Sequence, residues 1–474
     1  MTLYQNLAYM RNCSVKLISA FLLLLSLFSC NSCDKDTDKD SVIDSKDKCP
    51  NTPSGTKVDE KGCPVIEKKI SKVVFYFDAS ESNAGYYYSG SKFNSVIAPL
   101  IQKSSNVYKT FINNISDEGI VPKGEGKQAV SAFIQNLGVD NPIVGKSSTI
   151  DKFFGSVMRR TDSSTISVLI SDCILSYPDS IMGKDKTHNK NKNDAEGNIF
   201  KTNVITSISE DFDETKKLDY HPAFCVYAFV SDFFGKYFNC QNFALKQKVK
   251  LKNRPYYIWI LSKDQKILND FQKNVLDACV DFKPSEKLHF GLTKNEFQQY
   301  TIQPKLKRYG KFSPDNSVNG IRRIVLDERN KKVTFTLSVD LPNLNEISLV
   351  ELNKNLEKKS NSNIRFEVKF LDKDSVTDDE KSKLGTNELK QKFNTSSHLL
   401  QITINEMLVE EDTLYITMPF KYPTWYQNWW THDDTDLKNI ESKTFAIDQI
   451  IMAFIETIQD DKKNIINIKI PVKK

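Results

Sequence analysis

Histidine is nearly absent: there are five in 474 residues, and no two stand at metal-pair spacing. This gives no basis for a histidine-built zinc or iron site. There is no GxSxG elbow, no GxxxxGK[ST] phosphate loop, no HExxH helix and no GxGxxG turn. Serine-hydrolase, nucleotide, metalloprotease and dinucleotide chemistry therefore lack their local signatures. Charge of one sign is scarce too. The net charge is +6, and Lys is interleaved with Asp and Glu along the chain, so there is no basic patch for nucleic acid. Long hydrophobic runs are also missing. The run at 17–28 falls short of the roughly 20 residues a membrane-spanning helix needs.

What is present is an ordinary globular balance, 39% hydrophobic and 27% charged. The length allows about two or three domains. Arg11 and Lys16 precede the apolar run at 17–28, which ends at Ser29-Cys30. A basic start, a short apolar stretch and a small residue at the cut make a secretory signal peptide over 1–29. Leu27-Phe28-Ser29-Cys30 resembles a bacterial lipobox. That resemblance implies cleavage before Cys30, lipidation of its thiol, and anchoring at the outer membrane or cell surface.

An acidic stretch follows. Asp36, Asp38, Asp40, Val42, Asp44 and Asp47 occupy positions 1, 3, 5, 7, 9 and 12 of a loop, the ligand positions of a calcium loop. Position 6 is Ser41 rather than Gly, position 12 is Asp rather than Glu, and no helical pattern flanks the loop. Together with the frame from Cys49-Pro50 through Val58-Asp59 to Gly62-Cys63-Pro64, the segment resembles a thrombospondin type 3 repeat. The resemblance implies Ca²⁺ on Asp36, Asp38, Asp40, Asp44 and Asp47, with Val42 contributing a backbone carbonyl. It also implies a Cys49–Cys63 disulfide. The alternative is a disordered acidic spacer. Such repeats often precede OmpA-like cell-wall domains, but the NxxLSxxRA signature of that domain does not follow Pro64.

From 71 to 287 the pattern is α/β. Apolar strand-like runs at 73–77, 107–112, 166–170, 227–230 and 256–261 alternate with helical spacing at 91–102, 129–137, 150–157 and 267–280. Alternation of this kind argues for a parallel sheet. The first run ends in Asp78-Ala79-Ser80-Glu81-Ser82, so small oxygen-bearing residues follow a buried strand, where open α/β sheets bind ligands. Hard oxygen donors of this type suit Mg²⁺. D-x-S-x-S at 78–82, Thr149 on a later small-residue loop and Asp172 after a later strand together resemble the metal-ion-dependent adhesion site of von Willebrand factor type A domains. The resemblance implies a Rossmann-like domain with a mostly parallel central sheet. It also implies Mg²⁺ or Mn²⁺ on Asp78, Ser80, Ser82, Thr149 and Asp172, and a protein partner that supplies a carboxylate. Cys173 stands where that family commonly has Gly, and Ser147, Ser148 and Thr149 compete for the loop hydroxyl.

From 288 to 474 apolar and polar residues alternate along 333–339, 364–370, 414–420 and 466–470, as in antiparallel strands with one wet face. One helical stripe, from Ile447 to Ile458, interrupts them. The expected architecture is thus a signal over 1–29, an acidic linker over 30–70, an α/β domain over 71–287, and a β-rich, sandwich-like domain with a covering helix. The function these features point to is a lipid-anchored envelope protein that binds a protein ligand through a metal and is not an enzyme. The rivals are an OmpA-like cell-wall attachment protein and a metal-dependent hydrolase, the latter weaker because the recognised motifs contain no general base.

Overall fold

Strand β1 (Lys72–Asp78) is buried from its second residue onward, as an all-apolar β-branched and aromatic run dictates. It pairs in parallel with β2 (Lys109–Ser116) on one side and with β4 (Thr165–Ser171) on the other. Strand β3 (Gly119–Glu125) closes one edge, antiparallel to β2. Beyond β4 the direction reverses. β5 (Ala223–Gly235) and β6 (Val249–Ser262) form a long antiparallel pair, and β6 lies antiparallel to β4. β7 (Glu286–Phe290) adds the far edge. The seven-stranded order is β3-β2-β1-β4-β6-β5-β7.

The sheet is therefore mixed, which corrects the expectation of a mostly parallel one. The cause is local: β5 and β6 are joined as neighbours within the sheet rather than through a crossover helix, so β6 runs against β4. A strand buried on both faces has the same apolar run in either direction, so periodicity could not reveal this.

Helices cover both faces. Tyr256 and Trp259 on β6 are three residues apart and so face opposite ways. Tyr256 packs on Phe93 of α1 (Lys92–Val107), with ring centroids 4.9 Å apart. Helix α2 (Gly126–Asn136) packs beside α1, with Phe133 against Phe77. Trp259 packs 4.8 Å from Phe154 of α3 (Ile150–Met158), which lies against α4 (Ile199–Lys217). Helix α5 (Gln265–Phe271) gives way to a π-turn at Gln272–Leu276, so the helix expected over 267–280 is shorter.

The second half is a two-sheet sandwich. One sheet has the order β13-β14-β11-β8, made of Ile364–Leu371, His398–Met407, Val333–Val339 and Tyr300–Gln303. The other, β12-β15-β18-β10-β9, uses Glu357–Ser360, Glu411–Pro419, Asn464–Lys473, Gly320–Val325 and Lys311–Asp315. The two inner faces share one core that includes Phe335, Leu337, Ile402, Leu414, Ile416, Ile466 and Ile468. The expected covering helix, α6 (Ile447–Ile458), does not cover this sandwich. Its Phe454 packs 4.9 Å from Trp259, 5.1 Å from Phe154 and 5.3 Å from Phe290, in the α/β core. An apolar stripe shows that a helix is buried but does not specify against what. Trp425 and Tyr426 join the same core. A short parallel pair, β16 (Trp430–Thr431) with β17 (Thr444–Phe445), ties down the segment before α6. The boundary expected at 287/288 falls inside β7.

This computed structural model describes residues 35–40, 42–56, 58, 62–64, 69–139, 145, 147–175, 194, 197–217, 222–239, 248–293, 297–326, 331–341, 344, 348–362 and 364–474. The signal segment, Cys30, Ser41 and most of residues 185–198 lie outside them. The chain divides into two units, Met1–Lys68 and Lys69–Lys474.

Candidate metal centres

In the first unit the acidic loop turns on its own carboxylates. Asp36 Oδ1 accepts the Lys39 amide at 2.7 Å, Asp40 Oδ1 that of Val42 at 2.8 Å, and Asp47 Oδ1 that of Cys49 at 2.7 Å. Asp38 Oδ2 accepts the Thr52 amide, fourteen residues on, at 2.7 Å. These turns bring oxygens of Asp36, Asp38 and Asp40 within 4.8 Å of one another. Asp40 is 5% exposed, and its Oδ2 has no hydrogen-bond partner among the described residues. Burial, and then the charges of Asp38, Asp47 and Asp36, push its carboxyl above the usual range. Gly62, at φ +74°, lets backbone pass this cluster: a Cβ there would lie 2.0 Å from Asp47 Oδ1 and 2.9 Å from Asp40 Oδ2. Cys49 and Cys63 form a disulfide with Cα atoms 5.0 Å apart, which sets Gly62 in place. A lone buried carboxylate oxygen among like charges fits a hard cation such as Ca²⁺. Asp44 is turned elsewhere: its oxygens accept the Thr37 amide at 2.7 Å and hydroxyl at 2.6 Å, which hold its carboxyl below the usual range.

The second centre is assembled over a longer stretch of chain. The chain leaves β1 through α1 to β2 on one side, while β4 lies on the other, so a crevice opens at the carboxyl ends of β1 and β4. Asp78 ends β1 and Asp172 follows β4, and both are fully buried. Asp78 Oδ1 accepts the Ser80 amide at 3.0 Å, and its Oδ2 accepts the hydroxyls of Ser171 at 2.6 Å and Ser148 at 3.0 Å. Ser80 and Ser82 hydroxyls lie 2.9 Å apart. Asn83, in the 3₁₀ turn Glu81–Tyr86, stitches the halves together. Its Nδ2 donates to Ser80 Oγ at 3.2 Å and to Asp172 Oδ1 at 3.4 Å, and its Oδ1 accepts the Asp172 amide at 3.1 Å.

Four of the five expected residues, Asp78, Ser80, Ser82 and Asp172, thus share one hydrogen-bonded cluster. The loop hydroxyl that reaches Asp78 is Ser148, while Thr149 sits beside it as the buried N-cap of α3, making no side-chain cap bond. Asn83 and Ser171 complete the cluster. Ser171 adjoins Asp172, but no spacing in the sequence marks Asn83. Cys173 adopts φ +57°, the left-handed region that glycine occupies freely, and its buried thiol accepts the Trp259 indole N–H at 3.4 Å.

Electrostatics sharpen the picture. Burial raises the Asp78 carboxyl, against the pull of its Ser171, Ser80 and Ser148 hydrogen bonds. Asp172 is pushed up to about 7, first by burial and then by the like charge of Asp78, with Arg254 opposing. Two buried carboxylates with several hydroxyls form an all-oxygen donor set that a divalent cation would satisfy. No family model matches the chain, and no curated protein or solved structure does either.

Proposed function

We propose that this chain is a lipid-anchored protein of a bacterial cell envelope, at the outer membrane or cell surface, with a metal-dependent, adhesion-type binding domain. The acidic segment 30–70 is the spacer, stiffened by Ca²⁺ on Asp36, Asp38, Asp40 and Asp47 in the manner of a thrombospondin type 3 repeat. The α/β body carries a centre of the von Willebrand type A kind for Mg²⁺ or Mn²⁺. Asp78, Ser80, Ser82 and Asp172 would hold the ion, with Ser148 or Thr149 supplying the loop hydroxyl. The bound ion would supply a Lewis-acidic position for a carboxylate from a protein ligand.

The observation that supports this most is the meeting of Asp78 and Asp172, from the ends of two parallel strands, within one buried ring of hydroxyls. Two carboxylates would just balance a divalent cation, and the neutral hydroxyl donors would leave it a hard, Lewis-acidic centre for an anionic oxygen. Binding rather than catalysis fits the cluster, because its described residues include no histidine and its neighbouring thiol, Cys173, is held far above the usual range by burial. Titration with Mn²⁺, followed by electron paramagnetic resonance, tests the reading. The native body should take up one ion that Asp78→Ala loses while its circular dichroism is unchanged. Uptake that survives the substitution would falsify it.

A further inference from the structure

Arg254 lies on β6 and is fully buried. β6 runs antiparallel to β4 with Tyr257 opposite Ser171, which carries Arg254 past the carboxyl end of β4, the end at which Asp172 stands. The adjacent Pro255 carbonyl accepts the hydroxyl of Tyr86, from the same 3₁₀ turn as Ser82 and Asn83, at 2.5 Å. Nη1 of Arg254 donates to the carbonyls of Ile440, at 2.7 Å, and Lys443. Its guanidinium lies 5.0 Å from the centroid of the Tyr237 ring, and the Tyr237 hydroxyl donates to Asp434 at 2.7 Å. Nε and Nη2 have no hydrogen-bond partner among the described residues. A buried guanidinium with two idle nitrogens is costly unless its charge is used. Of the centre's two carboxylates, Asp172 is the one whose charge acts on it, and the buried Asp434 stands beyond the Tyr237 ring.

On that reading of the centre, we propose that Arg254 is its fixed counter-charge, and that it links the centre to the segment at 434–446. With no cation and both carboxylates ionised, the two carboxylates and one guanidinium leave one negative charge in excess. Loaded with a divalent cation, the same set has one positive charge in excess, which matches a single ligand carboxylate. Arg254 therefore weakens cation uptake and, in exchange, strengthens the loaded centre's pull on an anion. Arg254 is a positioning residue: it acts through charge and does not ligate.

The test compares Arg254→Gln, which removes the charge but keeps a polar side chain with an N–H donor, with Arg254→Lys, which keeps the charge. Mn²⁺ affinity in the full chain should tighten on the order of tenfold in Arg254→Gln and stay within about twofold of native in Arg254→Lys. A merely structural role would weaken Mn²⁺ in both. Equal or weaker binding in Arg254→Gln overturns the proposal. Should neither variant fold, hydrogen exchange of the native chain decides. Peptides covering 438–446 should exchange more slowly once Mn²⁺ is added, as Asp172 is taken up by the cation and the existing Arg254 bonds to the Ile440 and Lys443 carbonyls tighten. Unchanged exchange counts against the link. If native protein takes up no Mn²⁺ in the body, the cation reading itself fails. If it does and Arg254→Gln has no effect, only the role of Arg254 fails.

Discussion

The two acidic clusters are assembled by opposite routes. In the first unit, Asp36, Asp38 and Asp40 are brought together by turns of a few residues, and one disulfide and one glycine close the ring. Carboxylates are plentiful there and little core is needed. Among the described residues of the α/β body two carboxylates meet, and hydroxyls do the rest, but those groups come from Asp78, Ser148 and Asp172, three segments that only a complete sheet brings together. A centre rich in charge can be local. A centre poor in charge must be buried to have any grip on a cation, and burial makes it depend on the whole fold.

The largest test of that contrast is Phe454→Ala. Phe454 lies at the heart of the α/β core, against Phe154, Trp259 and Phe290, and far in sequence from either centre. The truncation should cost the body about 3–5 kcal/mol, read by urea denaturation, and weaken its Mn²⁺ uptake. Calcium uptake by the acidic unit should not change. The converse is the double change Cys49→Ser, Cys63→Ser. Freeing a loop of sequence separation 14 gives up about 3 kcal/mol of constraint on the unfolded chain. Calcium affinity measured by calorimetry should fall on the order of a hundredfold, while the thermal midpoint of the body stays within about a degree.

Protonation separates the centres next. The Asp172 carboxyl binds its proton more tightly in the folded body than in the unfolded chain. Its contribution to stability is therefore complete below pH about 4 and is lost as the pH rises through about 7, with a slope near 1.4 kcal/mol per pH unit between. Chelated protein should lose thermal stability across that window, and saturating Mg²⁺ should remove the loss by holding the carboxylate charged. Asp172→Asn should flatten the chelated profile. An unchanged profile would show that burial does not control this carboxyl.

How much of this the sequence discloses depends on the distance over which each feature is decided. Strands β1 and β4 and the alternation along β13 and β18 are local patterns, and the structure has them where the period indicates, whereas β11 forms at 333–339 but has no wet face, because Thr334, Thr336 and Ser338 are buried. D-x-S-x-S and Asp172 are legible because each sits at the end of such a run. The direction of β6 is not legible, because a strand reading PYYIWIL is buried on both faces whichever way it runs. Neither is the partner of α6, since its stripe faces a sheet whose nearest strand lies more than a hundred residues earlier. Asn83 and Arg254 have no pattern at all. An amide and a guanidinium at those places look like surface residues until the sheet encloses them.

The smallest expected effect separates two neighbours that the sequence leaves equivalent. Ser148 and Thr149 are both buried hydroxyls just before α3, and either could serve as the loop donor. The backbone decides between them. Thr149 has φ −83° and ψ 61° at the N-cap, and makes no side-chain cap bond, whereas Ser148 Oγ donates to Asp78 Oδ2 at 3.0 Å. A hydrogen bond to a charged acceptor is worth about 1.5–3 kcal/mol, so in chelated protein Ser148→Ala should cost that much and Thr149→Ala under about 1 kcal/mol. Ranking the pair again in saturating Mn²⁺ sharpens the comparison. If Thr149 becomes the costlier loss once the ion is bound, the loop changes its donor on loading. If Ser148 stays dominant, Ser148 is the loop ligand in both states.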